Sequence, residues 1–180
     1  MQLRFPLESD ATEVVRAHEA LARDDFPFLF GFEVGDDYAA WLVENDPKNR
    51  GERWPERGVP AHFLLAEDEG RIVGRLSIRF ELNAYLRQFG GHVGYCTVPE
   101  FRGRGYAKAM LREGLDRLRA LGTTTALLTT DETNVASQRV IESQGGRFLG
   151  HFPGEPGAEG RIGPRKCHFV FGDGELVVTR

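Results

Sequence analysis

The chain has few of the residues that mark secreted, metal-binding, membrane-spanning or nucleic-acid-binding proteins. Only two of its 180 residues are cysteines, Cys96 and Cys167, and their spacing suits neither a disulfide framework nor a metal site. The N-terminus lacks an apolar signal core, and no run of about 18 apolar residues is present to span a bilayer. The net charge of -4 disfavours a dedicated nucleic-acid binder, which relies on a basic surface. We therefore expect a cytoplasmic protein with free thiols and without metal, membrane or nucleic-acid partners.

The residues that are present indicate one α/β domain. A hydrophobic content of 41% and an aromatic content of 11% are enough for a single core in a chain of this length. Hydrophobic periodicity and turn residues predict the order β-α-α-β-β-β-α-β-α-β-β, which is typical of mixed α/β packing around one sheet. The predicted elements are a strand near 3–5, a helix capped by Asp10, a short helix over 38–44, a hairpin over 62–82, a strand over 92–98, a helix over 105–121, a strand over 123–130, a helix after Asn134, strands over 147–151 and 166–171, and a final strand after Gly174.

The most informative segment is residues 98–109, where an apolar strand leads into a glycine-rich turn that opens a helix. Gly103 and Gly105 permit positive φ and bring backbone N–H groups close to an anion, while the helix adds its positive dipole end. Positive charges cluster there at Arg102, Arg104 and Lys108. A dinucleotide fingerprint requires a third glycine where Ala107 stands, and a Walker loop requires a Gly-Lys-Ser/Thr that is missing. The segment predicts a phosphate site, with a plain turn as the alternative.

Two spaced motifs resemble the GNAT superfamily of N-acetyltransferases. The spacing of Arg102, Gly105 and Ala107 resembles its pyrophosphate loop, and Asn134 to Ser137 followed by Gly145-Gly146 resembles the helix whose asparagine contacts pantetheine. Residues 90–95 also resemble a branch of predicted bacterial acetyltransferases. The resemblance implies a single-domain GNAT fold over residues 1–180, with a mixed central sheet of about seven strands and about four helices. It also implies an acceptor-side region over 1–60 and an acetyl-CoA-binding core over 61–180.

The same resemblance implies direct transfer of an acetyl group from acetyl-CoA to a primary amine of a small molecule or a protein. The Cys96 N–H is then expected near the thioester carbonyl, and Val98 is expected to pair with the pantetheine amide. The Cys96 thiol is interpreted as a packed hydrophobe rather than a nucleophile. Asn134 and Ser137 have the alternative role of merely starting a helix. The full set of expected cosubstrate-binding residues is Cys96, Thr97, Val98, Arg102, Gly103, Arg104, Gly105, Tyr106, Ala107, Lys108, Asn134 and Ser137.

His92 is the first candidate for the general base, because an imidazole with a pKa near 6.5 suits proton removal at neutral pH. Glu81 is the rival, and a purely structural role for His92 stays open. The tyrosine that many GNAT enzymes carry seven residues after the asparagine is replaced by Ile141, so Tyr85 is the substitute candidate for the acid. This departure keeps a catalytically silent acyl-CoA-binding module as the alternative function, with a nucleotide-binding regulatory domain as a third hypothesis. A homodimer is also left open.

Overall fold

The computed structural model describes residues 1–54, 58–157 and 161–174, and these residues form an α/β fold. The seven strands and four α-helices of the described residues follow the predicted order, and the additional strand predicted after Gly174 lies outside the described residues. The strands are β1 (Gln2–Arg4), β2 (Ala61–Asp68), β3 (Arg71–Arg79), β4 (Val93–Thr97), β5 (Ala126–Asp131), β6 (Arg147–Phe152) and β7 (Lys166–Phe171). The α-helices are α1 (Ala11–Ala22), α2 (Tyr38–Asn49), α3 (Tyr106–Ala120) and α4 (Val135–Ser143).

The strands form two hydrogen-bonded sheets, where the sequence pattern predicted one. The first has the order β1-β2-β3-β4 and the second the order β5-β7-β6. In the second sheet β7 pairs antiparallel with both neighbours, so that Thr129 lies opposite His168 and Phe148 lies opposite Phe169.

Contacts divide the chain into two compact units, which are described separately. The first unit comprises residues 1–77 and 95–110. Its helix α1 buries Val14, Ala17 and Leu21. Asp10 stands at the start of α1 as predicted, but its side chain caps no N–H group of that helix. Its carboxylate instead accepts the Leu7 N–H at 2.8 Å and forms an ion pair with Arg4 at 2.6 Å. Asp10 therefore links β1 to the turn before α1.

Helix α2 is longer than the sequence predicted. Asp37 caps it by accepting the Ala39 N–H at 2.9 Å, and it continues past the expected end at Glu44 with Pro47 inside. The hydrogen-bond pattern resumes after the proline, because the Arg50 N–H donates to the Asp46 carbonyl at 3.1 Å. A proline removes a single donor, and here the helix tolerates that loss near its C-terminus.

The second unit comprises residues 78–94 and those from 111 onward. Its core includes the buried side chains of Leu127, Leu128 and Phe169 on β5 and β7. Here α3 ends as predicted at Gly122, which has a φ of +89°. The Thr123 N–H donates to the Leu118 carbonyl at 2.9 Å, which is the Schellman type of helix end that requires a residue with positive φ.

Candidate active site

The glycine-rich loop has the geometry of an anion cradle. Gly103 and Gly105 have φ angles of +77° and +87°, and a Cβ built on either glycine has no heavy atom within 4 Å. Within the described part of the chain, none of the six consecutive N–H groups of residues 103–108 donates to an acceptor. The first N–H groups of a helix have no partner within the helix, so these donors are available to a phosphate at the N-terminus of α3.

The charged residues around the loop differ in how available they are. The Arg102 guanidinium is paired with Asp24 at 2.7 Å, and Arg104 stacks over the Phe101 ring at 5.4 Å. Lys108 is exposed on the first turn of α3. The Tyr106 hydroxyl donates to Asp68 at 2.6 Å, so its side chain anchors the loop. Ala107 follows on the helix itself and is half-buried. Arg102 therefore shares its charge with Asp24, whereas the loop N–H groups have no acceptor among the described residues.

The hydrogen bonding of β4 changes which backbone groups are available for a cosubstrate. The Val98 N–H donates to the Val73 carbonyl at 2.9 Å, and the Val98 carbonyl accepts from Phe101. Because backbone groups alternate between the two edges of a strand, those of Cys96 also point toward β3. A Cβ on Gly74 of β3 would lie 2.4 Å from the Cys96 carbonyl oxygen, which agrees with this direction.

The predicted donors Cys96 and Val98 direct their N–H groups toward β3 in this register. The N–H of Thr97, rather than those of Cys96 and Val98, points to the outer edge of the four-stranded sheet, where β4 is the last strand. The Thr97 hydroxyl oxygen is also buried without a hydrogen-bond partner among the described residues. Buried polar groups are normally satisfied. Thr97 was named from the sequence only as one member of a run, because residue spacing does not reveal which residues of an edge strand face its neighbour.

The Cys96 thiol has the environment of a packed side chain. Burial raises the pKa of the Cys96 thiol, and the Arg75 guanidinium offsets this effect only partly. A thiol nucleophile needs a lowered pKa, so the environment of Cys96 favours the predicted packing role over covalent catalysis.

His92 is buried, with 7% of its surface exposed, and lies just before β4. The Leu127 N–H donates to His92 Nδ1 at 2.9 Å. Since a backbone amide is always a donor, Nδ1 is the acceptor and the proton of the neutral ring is on Nε2. Burial lowers the pKa of His92. The neutral imidazole thus has no unengaged lone pair to take a proton from a substrate.

Glu81 and His92 share one polar cavity of 480 Å³ in the second unit. Arg87 and the segment from Gly122 to Thr125 also line it. The Glu81 side chain is exposed, whereas His92 is held by the backbone of β5. Of these two residues, Glu81 therefore has the carboxylate lone pairs that a general base requires.

The remaining predicted residues are placed as follows. The Tyr85 hydroxyl donates to Glu155, and this hydrogen bond raises the pKa of Tyr85 to about 12. The Asn134 side chain accepts the Ser137 N–H at 3.0 Å, so the helix-starting role of Asn134 is present. Ile141 is 1% exposed and belongs to the core.

In the described residues no group of three or more histidine, cysteine or acidic side chains is arranged to hold a metal ion, and no helix is long and apolar enough to cross a membrane.

Comparison with known proteins identifies a family. The model of the acetyltransferase (GNAT) family matches residues 14–145. The mycothiol acetyltransferase of Acidimicrobium ferrooxidans is 33% identical over 163 residues, which cover 80% of this chain and 49% of that protein. The chain spans half or less of the length of the curated relatives it matches.

Solved structures agree on the fold. RimJ of Mycobacterium smegmatis, in complex with CoA-disulfide, matches with a TM-score of 0.71 and 22% identity over 94% of this chain and 80% of RimJ. YncA of Salmonella typhimurium, with its cofactor acetyl-CoA, matches with a TM-score of 0.59 and 17% identity over 99% of this chain and 97% of YncA.

Proposed function

Because the chain belongs to the acetyltransferase (GNAT) family, we propose that it transfers an acetyl group from acetyl-CoA to a primary amine. The main support for this proposal is the row of six N–H groups over residues 103–108, which have no acceptor among the described residues. Such a row at a helix N-terminus suits the pyrophosphate of a CoA molecule. Acetyl-CoA, when bound, supplies the activated acetyl thioester.

The residues of the chain have distinct proposed roles. The loop from Gly103 to Lys108 binds phosphate through its backbone, and the exposed Lys108 adds a positive charge. The Thr97 N–H and hydroxyl bind the polar groups of the pantetheine arm. This assignment fits the buried Thr97 hydroxyl, which has no hydrogen-bond partner in the described part of the chain. The roles of Asn134 and Ser137 toward the same arm rest on the family motif and stay predictions.

We assign the general base to Glu81 rather than to His92. An alkylamine is mostly protonated at neutral pH, so the reaction needs a group that removes a proton. The Nδ1 lone pair of His92 is occupied by the Leu127 N–H, and His92 then serves to position the start of β4. Glu81 lines the same cavity and is exposed to solvent, so its carboxylate is open to an amine or a bridging water.

The test combines turnover with binding. CoA release is followed with a thiol reagent on a panel of primary amines, and acetyl-CoA binding is measured by calorimetry on the same preparation. Turnover with at least one amine supports the proposal. Tight binding of acetyl-CoA without turnover on any amine supports the alternative of a silent acyl-CoA-binding module, which the core residue Ile141 at the usual tyrosine position favours. Adenine nucleotides that bind as tightly as CoA contradict both.

A further inference from the structure

Arg75, in the middle of β3, is a buried cation that has no carboxylate partner among the described residues. Only 4% of its surface is exposed. The one hydrogen bond of its guanidinium to the described residues runs from Nη2 to the Pro27 carbonyl at 3.3 Å. The Nε atom is fully buried and has no partner among those residues. Arginines are almost never fully buried unless they are paired, because removing the charge from water costs free energy.

Three phenylalanine rings surround the Arg75 guanidinium. Its central carbon lies 5.3 Å from the Phe26 ring, 4.5 Å from Phe30 and 5.5 Å from Phe63. These cation-π contacts offset part of the desolvation but leave the Nε donor unsatisfied. Phe26 and Phe30 are 38% and 49% exposed. The guanidinium is therefore covered by two rings that themselves reach the surface of the first unit.

The position of Arg75 relates it to the proposed chemistry. The bond between Val98 and Val73 sets the register in which Arg75 lies opposite Cys96, and directly opposed side chains share one face of a sheet. The neighbouring Gly74 points to the other face, where it packs against Met110 of α3. The guanidinium thus lies beside β4, the strand whose Thr97 we assign to the cosubstrate.

We propose that Arg75 recognises an anionic group, a carboxylate or a phosphate, on the amine acceptor, and that Phe26 and Phe30 enclose this group. The proposal rests on the function proposed above and names its substrate class. A guanidinium matches carboxylate and phosphate oxygens through parallel N–H donors, and the unsatisfied Nε supplies one of them. If this position served packing alone, a methionine or leucine would fill the apolar cage without the free-energy cost of burying a charge. The charge of Arg75 is therefore explained by a ligand rather than by packing.

Matched pairs of amines test this inference. The pairs are O-phosphoethanolamine with ethanolamine and β-alanine with β-alaninamide, each differing in the anionic group. In the unmodified protein we expect kcat/KM for at least one anionic amine to exceed that of its neutral partner by tenfold or more. In Arg75→Met we expect this ratio to fall by tenfold or more, equivalent to about 1.4 kcal/mol. Comparing this ratio between Arg75→Met and the unmodified protein at one pH cancels the amine pKa difference within each pair, and the two pairs distinguish phosphate from carboxylate.

Stability and binding measurements separate recognition from a structural role. If Arg75 serves to bind a ligand, Arg75→Met has the same Tm as the unmodified protein or a higher one. If Arg75 instead stabilises the fold, the Tm of Arg75→Met is lower. Arg75→Lys retains the charge but not the planar donors, so we expect it to lose most of the selectivity while remaining folded. It serves as the second variant if Arg75→Met does not fold.

Calorimetric titration of the CoA-loaded protein with O-phosphoethanolamine and β-alanine gives a readout independent of turnover. Saturable binding of either amine without its acetylation supports the anion site and refutes the proposed acetyl transfer. Turnover of neutral and anionic amines at equal kcat/KM retains the transfer and refutes the anion site. Neither binding nor turnover with any of the four amines refutes both.

Discussion

Replacing Gly105 with alanine separates the cost of backbone strain from the loss of a phosphate site. Gly105 has a φ of +87°, and a Cβ built there has no heavy atom within 4 Å. The variant therefore causes no steric overlap with the described residues. Its methyl group enters open space at the loop, where we propose that phosphate binds. Gly145, after α4, has a φ of +91° and the same open surroundings, which makes Gly145→Ala the matched control.

The two variants have the same expected effect on stability. A non-glycine residue in the left-handed region costs about 1–2 kcal/mol. In a protein of this size about 1 kcal/mol corresponds to about 2–4 °C in Tm. We expect both Gly105→Ala and Gly145→Ala to unfold several degrees below the unmodified protein, with similar urea midpoints. Only Gly105→Ala is expected to bind CoA more weakly, by about tenfold or more, or about 1.4 kcal/mol.

Calorimetric titration with CoA and urea unfolding of both variants measure the two effects. The reasoning is refuted if folded Gly105→Ala binds CoA with the affinity of the unmodified protein. It is also refuted if Gly145→Ala loses as much CoA affinity as Gly105→Ala, because the effect is then one of general destabilisation.

Three further outcomes are expected. Glu81→Gln lowers kcat by about a hundredfold, which is the usual scale of general-base catalysis, and leaves the CoA affinity unchanged. If His92→Gln instead causes an equal loss and abolishes the acidic limb of the pH profile, His92 is the base. Gly146→Ala costs about 1–3 kcal/mol in urea unfolding by overpacking, since its Cβ would lie 2.4 Å from Ile141 Cγ2; a midpoint equal to that of the unmodified protein contradicts this. The urea midpoint falls as the pH drops below about 6.5, because the unfolded chain then binds protons that the folded protein excludes. A urea midpoint that is the same at about pH 7.5 and about pH 5.5 contradicts this prediction. The groups responsible are buried histidines whose pKa is lowered by burial, namely His18, His92 and His168.

The sequence by itself predicted the features that depend on local chemistry. Gly103 and Gly105 were predicted to take positive φ before a helix, and they do, because only glycine adopts this conformation without strain. The strands, the helix over α3 and its end at Gly122 follow from periodicity and from the same property of glycine. Asp10 and the length of α2 were less accurately predicted, because the Asp10 carboxylate pairs with Arg4 instead of capping α1 and because α2 continues through Pro47.

Only the tertiary structure decided which groups are free for chemistry. The hydrogen-bond register with β3 turns the N–H groups of Cys96 and Val98 toward that strand, which is why we propose Thr97 as the backbone donor. The Nδ1 lone pair of His92 accepts the N–H of Leu127, 35 residues away in sequence, and this contact is why we propose Glu81 as the base. Arg75 reads in the sequence as an ordinary solvent-facing residue of an alternating strand, yet it is enclosed by rings from β2 and from the loop after α1. Strand register and burial arise from contacts between distant segments, and local residue patterns carry no information about which segments meet.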